Sequence, residues 1–171
     1  MKRILTYGTF DLFHEGHKNI LKRARELGDY LVVGVSTDEF NNTKGKQSVY
    51  NYEMRKRIVE SQPYVDLVIP ENSWDQKITD VLENNIDIVV MGSDWAGSDK
   101  FDYLKQYCEV IYLPRTPGIS STEIKQVLNT DDCRSLINAG FSDFDLFNNG
   151  LDVLEVSQFE QVGGIIKVKK L

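Results

Sequence analysis

The sequence predicts an α/β fold: a doubly wound, five-stranded parallel sheet with helices on both faces, followed by a short C-terminal extension. Three observations predict it. Strand-like and helix-like stretches alternate five times over residues 1–128. The strand-like stretches are apolar almost throughout, YLVVGVS at residues 30–36 most clearly, as strands covered on both faces must be. The first of them runs through a glycine into a helix, a junction that in such sheets faces a ligand.

Residues 3–7 (RILTY) read as a short buried strand ending at Gly8, and the loop GTFDLFHE follows. Residues 16–27 carry Ile20, Leu21, Ala24 and Leu27 at helical spacing, with Gly28 placed as the C-cap. After the second strand at 30–36, the polar residues 41–48 read as a loop. Residues 51–61 form a helix with Met54, Ile58 and Val59 on one side. A third strand at 65–69 (VDLVI), a helix at 74–84 and a fourth strand at 86–91 (IDIVVM) continue the alternation. A short helix at 100–107, a fifth strand at 109–113 (EVIYL) and a helix at 121–128 complete it. Right-handed crossovers make such strands parallel neighbours, a Rossmann-like sheet that binds ligands beyond its carboxyl ends, where the strand order reverses. Residues 1–128 are therefore one domain. Residues 129–171 have a different texture, with turn signals at Asn149-Gly150 and Gly163-Gly164 and two small strands expected at 151–156 and 165–168. The bland role for this extension is packing or dimer contact.

The 171 residues suffice for one self-supporting core. At 41% hydrophobic and 27% charged the chain is globular rather than disordered. Lys and Arg number 20 against 26 Asp and Glu, and a net charge of −6 argues against a broad nucleic-acid binder. Cys108 and Cys133 form neither a CxxC pair nor a disulfide framework. No apolar run nears the ~18 residues of a membrane span, and MKRILTYGTF lacks a signal-peptide core. A cytoplasmic protein without membrane insertion is expected.

Four clusters carry chemistry. Thr9, Phe10 and Asp11, then His14, Gly16 and His17, stand at the first strand-to-helix junction. A helix N-terminus offers free N–H groups and a positive dipole end, and Gly16 lets an anion approach the backbone. Two imidazoles three residues apart share that face and suit a phosphate that gains charge during reaction. No third ligand stands at zinc-like spacing, so no protein metal site is expected. Arg115, Thr116, Ser120, Ser121 and Thr122 follow the fifth strand, where hydroxyls cap a helix and an arginine supplies a bidentate fork. Lys44-Gly45-Lys46 lies on the polar loop, able to close over a phosphate, although a solvated loop is the plainer reading. Arg55 on the next helix reads plainly as a surface charge. Asp94, beside Trp95, ends the fourth strand, where a carboxylate can accept from a base or a ribose hydroxyl.

Together YGTFDLFHEGH and RTPGISST are similar to the double signature of the HxGH nucleotidyltransferase superfamily. GDYLVVGVSTDEFN, KGK, YEMRK, YVDLVIPE, MGSDW and YLPRTPGIS further resemble the bacterial glycerol-3-phosphate cytidylyltransferase family over residues 2–128. The resemblance implies transfer of a cytidylyl group from CTP to sn-glycerol 3-phosphate with Mg²⁺ held mainly through nucleotide phosphates, in a homodimer serving teichoic acid or capsular polymer synthesis. It implies that His14, His17, Lys44 and Arg115 are catalytic. Thr9, Phe10, Gly16, Asp94, Thr116, Ser120, Ser121 and Thr122 would bind the nucleotide, and Lys46, Arg55 and Asp11 would lie on the acceptor side. A downstream polymer-building transferase is the partner such a product implies. Three departures stand out: Pro63 replaces the family's arginine at the dimer segment, GSDKFDYL is about two residues longer, and the tail after 128 is extra. Two alternatives stand beside this reading. One keeps the chemistry with another phospho-alcohol, phospho-sugar or ATP. The other is a non-catalytic nucleotide-binding scaffold, against which the retained His14, His17, Lys44 and Arg115 argue.

Overall fold

The architecture turns on one strand that pairs on both sides. β1 (Arg3–Gly8) lies between β2 (Tyr30–Ser36) and β4 (Ile88–Gly92) in a computed structural model. The structure describes residues 1–117 and the backbone of Phe159–Val162 and Ile165–Val168. With β3 (Leu67–Glu71) outside β2 and β5 (Glu109–Leu113) outside β4, the order is β3-β2-β1-β4-β5, parallel at each pairing. The order reverses between β1 and β4, as the sequence reading requires of a ligand site. Pairing of β1 with β2 continues to Gly8 opposite Val35, whereas pairing with β4 stops at Thr6 opposite Val90. The carboxyl ends of β1 and β4 thus part from each other, each still paired with its outer neighbour, which is the crevice a doubly wound sheet offers.

Alternation along β1 sends Ile4 to one face and Leu5 and Tyr7 to the other, and both faces are filled. On the first face Leu21 and Ala24 of α1 (Glu15–Arg25) and Ile58 and Val59 of α3 (Tyr52–Glu60) complete the core. On the second, Val81 of α4 (Lys77–Glu83) and Leu104 of the 3₁₀ turn Asp102–Gln106 do so. Gly34 makes the second face possible, because a Cβ there would lie 2.3 Å from the ring of Tyr7.

Several expectations need correction. α1 ends with Glu26 as its C-cap, two residues before Gly28. Gly28 is needed instead for close approach: a Cβ would lie 2.7 Å from the carbonyl oxygen of Lys2. The loop expected at 41–48 begins as a helix, α2 (Asp38–Thr43), whose N-cap Thr37 accepts from the Phe40 N–H. β3 runs two residues later than expected, α4 begins at Lys77, and residues 102–106 are 3₁₀ rather than α. A strand does occupy Ile165–Val168 (β7), antiparallel to β6 (Phe159–Val162). The expected helix at 121–128, the strand at 151–156 and Cys133 lie outside the described residues. Among the described residues no helix is long and apolar enough to cross a membrane.

Candidate active site

The two histidines form the first turn of α1 by capping it. His14 is the N-cap in extended conformation, and its Nδ1 accepts from the Gly16 N–H at 3.0 Å. His17 reaches back, its Nδ1 accepting from the His14 N–H at 3.3 Å. This is a reciprocal capping box with imidazoles in both roles. A neutral ring that accepts at Nδ1 carries its proton at Nε2, so each ring keeps one donor for another group. The rings stack with centroids 3.7 Å apart, and Phe10 and Phe13 stand at 5.3 and 5.4 Å from His17. Burial, aided by the Arg115 charge, lowers the His14 pKa to about 4. Burial lowers that of His17 well below its usual value, with His14 and Arg115 adding to the effect. Both rings are therefore neutral donors near neutral pH.

The loop that brings β1 to this cap is strained. Phe10 and Leu12 have φ of 53° and 50°, a left-handed region that residues other than glycine rarely enter. Asp11 between them is buried, and its carboxylate accepts from the N–H groups of Val49 and Tyr50 at 2.8 and 2.9 Å. Arg55 lies below. Its Nη1 donates to the carbonyls of Thr9 (2.8 Å) and Ser36 (2.6 Å), its Nε to that of Tyr50 (3.0 Å), and its Nη2 to Asp38 Oδ1 (2.8 Å). Arg55 was expected to face the acceptor, and its burial corrects that; Asp11, expected on the same side, does line a cavity beside Lys44 and Lys46, with its carboxylate engaged by loop N–H groups. Arg55 is 0% exposed and neither a surface charge nor a free phosphate ligand. Asp11 pins one site loop to another. The reason is the same in each case: backbone groups from distant segments converge there and must be paired. Thr9 Oγ1 donates to Asn41 Oδ1 (3.2 Å), whose Nδ2 donates to Ser48 Oγ (2.7 Å), closing the base of the lysine loop.

Beyond the carboxyl ends two adjoining cavities open, of about 350 and 300 Å³, sharing Gly8, Thr9, Phe10 and His17 as walls. The first is bounded by Lys44, Lys46, Glu71 and Trp74. Lys44 is half-buried with Nζ 4.3 Å from the Phe40 ring centroid, and burial lowers its pKa to about 8. Lys46 is exposed. The second cavity is bounded by His14, Gly16, Asp94, Arg115 and Thr116. Arg115 Nη1 donates to Asp94 Oδ2 at 3.1 Å, and Asn19 of α1 donates to the Thr116 hydroxyl at 3.1 Å. The structure thus gathers the expected histidines, lysines, Asp94 and Arg115 around two adjoining cavities that share His17. Ser120, Ser121 and Thr122 lie outside the described residues.

Sequence reasoning missed Glu71, Trp74, Phe101 and Asn41 as parts of the site. Glu71 ends β3 and obeys the same carboxyl-end rule that singled out Asp94. It escaped because the strand was expected to end at 69. Asn41 carried a signal in Thr37-Asp38-Glu39, an N-cap with acidic first turn. Among the described residues no three His, Cys, Asp or Glu gather as a metal cluster.

The pattern of the cytidylyltransferase-like family matches residues 5–127. The chain is 60% identical over 126 residues to glycerol-3-phosphate cytidylyltransferase of Bacillus subtilis (strain 168), covering 74% of this chain and 96% of that protein. It is 59% identical over 134 residues to glycerol-3-phosphate cytidylyltransferase of Staphylococcus aureus (strain NCTC 8325), covering 78% and 100%. Among solved structures, the lipopolysaccharide core biosynthesis protein from Thermoplasma volcanium superposes with a TM-score of 0.58 at 26% identity, over 68% of this chain and 98% of that one.

Proposed function

The chain belongs to the cytidylyltransferase-like family, and from that premise we propose that it transfers a cytidylyl group from CTP to sn-glycerol 3-phosphate, giving CDP-glycerol and pyrophosphate. The observation that carries the chemistry is the pair of stacked, neutral imidazoles at the head of α1, each with an Nε2–H left to give. The acceptor is supported by the named activity of relatives 60% identical over most of the chain.

An oxygen of the acceptor phosphate attacks the α-phosphorus in line. The bond from that phosphorus to the β-phosphate oxygen breaks, and its electron pair leaves with pyrophosphate. The protein supplies position and charge rather than covalent chemistry. The triphosphate lies over the N-terminus of α1, where free N–H groups and the dipole favour it. Imidazoles held neutral donate to the phosphate oxygens in a geometry fixed by their caps, with no reorganisation needed as charge shifts to the leaving group. Arg115 and Thr116 hold the β- and γ-phosphates on one side, while Lys44 and Lys46 approach from the acceptor side. Asp94 receives the base or ribose.

The donor set fits Mg²⁺ brought in on the triphosphate. The cavity walls present cations, and the lining carboxylates are already engaged, Asp11 by backbone N–H groups, Glu71 by Lys77 and Asp94 by Arg115. When bound, the ion neutralises charge on the leaving pyrophosphate. The same reading takes in a cytoplasmic homodimer feeding a polymer-building transferase of teichoic acid or capsule synthesis. In support of the dimer, β3 is an edge strand carrying the exposed Leu67, close to the exposed Pro63.

The test is pyrophosphate release with Mg²⁺, CTP and sn-glycerol 3-phosphate beside ATP and a panel of other phospho-alcohols. Release with CTP and glycerol 3-phosphate alone is expected. Release only with another pair would overturn the substrate assignment, and CTP binding without release would point to a scaffold.

A further inference from the structure

The segment that carries Arg115 has left the sheet. β5 ends at Leu113, and Pro114 and Arg115 beyond it are exposed. Among the described residues the Arg115 side chain is tied only to Asp94, an exposed pair that adds little rigidity. Its flanking residues are held more firmly. Arg23 Nη1 donates to the carbonyl oxygen of Pro114 at 3.0 Å, and Asn19 Nδ2 donates to the Thr116 hydroxyl at 3.1 Å. Both donors are half-buried and stand one turn apart on α1. Four residues of helix rise about 6 Å, close to the roughly 6.6 Å that two residues of extended chain cover. Asn19 and Arg23 therefore match the step from residue 116 to residue 114, and Arg115 is bracketed between the two ties.

The ties act on different groups. Arg23 fixes the main chain one residue before Arg115. Asn19 fixes a polarity: a hydroxyl has one proton and two lone pairs, so a Thr116 oxygen that accepts from Asn19 keeps its own O–H to give. Thr116 and Arg115 line the second cavity, together with His14 and His17. Those imidazoles belong to the first turn of the same helix. One rigid element thus holds both halves of the cation and donor set. Stability does not call for these ties, since water serves an exposed carbonyl and a half-buried hydroxyl nearly as well.

Resting on the transfer reaction proposed above, we propose that Asn19 and Arg23 are positioning residues of that reaction. They clamp residues 114–116 to α1, so that Arg115 and the Thr116 hydroxyl meet the same triphosphate as the two imidazoles. Arg23 acts through the main chain before Arg115, and Asn19 acts through the Thr116 hydroxyl. Groups that stabilise developing charge lose much of their effect when misplaced by about 1 Å, which gives such a clamp its value.

The experiment compares the full-length wild type with N19A, R23M, T116V, R115A and the doubles N19A/T116V and R23M/R115A. It is run at about 0.15 M salt, which screens exposed charges beyond about 8 Å. Pyrophosphate release with CTP and glycerol 3-phosphate gives kcat/KM, equilibrium binding of CTP without acceptor gives a second readout, and thermal melts report folding. N19A and R23M are each expected to lower kcat/KM for CTP by about 10-fold, the scale of one lost hydrogen bond. CTP binding should weaken in the same direction, with the melting temperature within about two degrees of the wild type. N19A should cost less than about twofold in the T116V background, and R23M less than about twofold in the R115A background, because a residue that acts through another then has nothing left to position. Losses of equal size in both backgrounds would make the two residues independent contacts and overturn the proposal, as would wild-type kinetics in N19A and R23M. If R23M does not fold, the cycle of Asn19 with Thr116 decides. Absence of pyrophosphate release by the wild type with CTP and glycerol 3-phosphate would sink the transfer reading instead, with the CTP-binding cycles still reporting on the clamp.

Discussion

His14 and His17 hold each other at the head of α1: the His17 Nδ1 accepts from the His14 backbone N–H, and the two rings stack 3.7 Å apart. The side chain of one is thus oriented by the main chain of the other, and their Nε2–H groups are aligned before any ligand arrives.

His17→Ala removes a preorganised donor together with the cap on His14. Turnover is expected to fall by about 10²–10³-fold, the usual consequence of losing such a donor. Loss of the capping interaction is expected to cost about 1 kcal/mol of stability. Steady-state kinetics beside a urea melt check this, and near-normal kcat in a folded variant would remove His17 from the chemistry.

Stability should fall on the acid side. The His14 pKa is lowered to about 4 in the folded chain, while the unfolded chain takes up the proton near the ordinary value of about 6.5. Between those limits the unfolded state binds more protons, so the contribution is whole above about pH 6.5 and is lost as pH falls toward 4. For His14 it is on the order of 3 kcal/mol, with His17 acting in the same direction. Urea midpoints at pH 8, 6.5 and 5 should be flat across the first interval and drop across the second. A midpoint that does not move below pH 6.5 would mean the imidazoles are not held neutral by the fold.

Lys44 gives the opposite limb in activity. Burial lowers its pKa to about 8, only partly offset by Glu71, so the free enzyme loses that positive charge as pH rises through 8. The quantity to follow is kcat/KM for CTP, which should decline above pH 8 in the wild type. In K44R, whose guanidinium stays protonated, that decline should be flattened, even if the plateau is lower. An identical alkaline limb in both proteins would assign it to another group.

Asp94 and Arg115 are both exposed, so their 3.1 Å pair contributes little to folding and opens readily. D94A and R115A should leave the melting temperature within a degree or so of the wild type, as expected of surface changes. R115A should lower kcat/KM for CTP by about 10²-fold or more, through loss of charge stabilisation. D94A should act mainly on KM for CTP. A large fall in melting temperature in either variant would show the pair to be structural.

The sheet was legible where apolar runs are bounded by polar residues: β2 and β5 occur at the expected residues. β3 was displaced because Pro70 looks like the end of a strand. It is tolerated since β3 is an edge, where a missing N–H need not break the ladder. Gly28 fitted the rule for helix ends, but its true constraint is a carbonyl of the neighbouring strand, which local spacing does not reveal. The site was legible where chemistry sits at strand-to-helix junctions, as with His14, His17, Asp94 and Arg115. Lys77 and Arg55 were opaque for one reason. Charged residues on amphipathic helices read as solvated, and only the fold shows that rings or carbonyls from remote segments surround them.

Arg55 has a consequence for how the protein breathes. Its guanidinium joins Thr9, Ser36, Asp38 and Tyr50, which belong to both site loops, the end of β2 and the start of α2. If one of these segments left, the others would face a poorly solvated cation, so partial departures are disfavoured. The loops that line the two cavities are therefore expected not to fray separately as surface loops do, but to open together with the sheet, as one cooperative unit. In hydrogen exchange the amides of Val49 and Tyr50, though on a loop, should protect like those of β2. The floor of the site then has the lifetime of the fold itself, and the freedom needed to admit substrate lies in side chains at its rim.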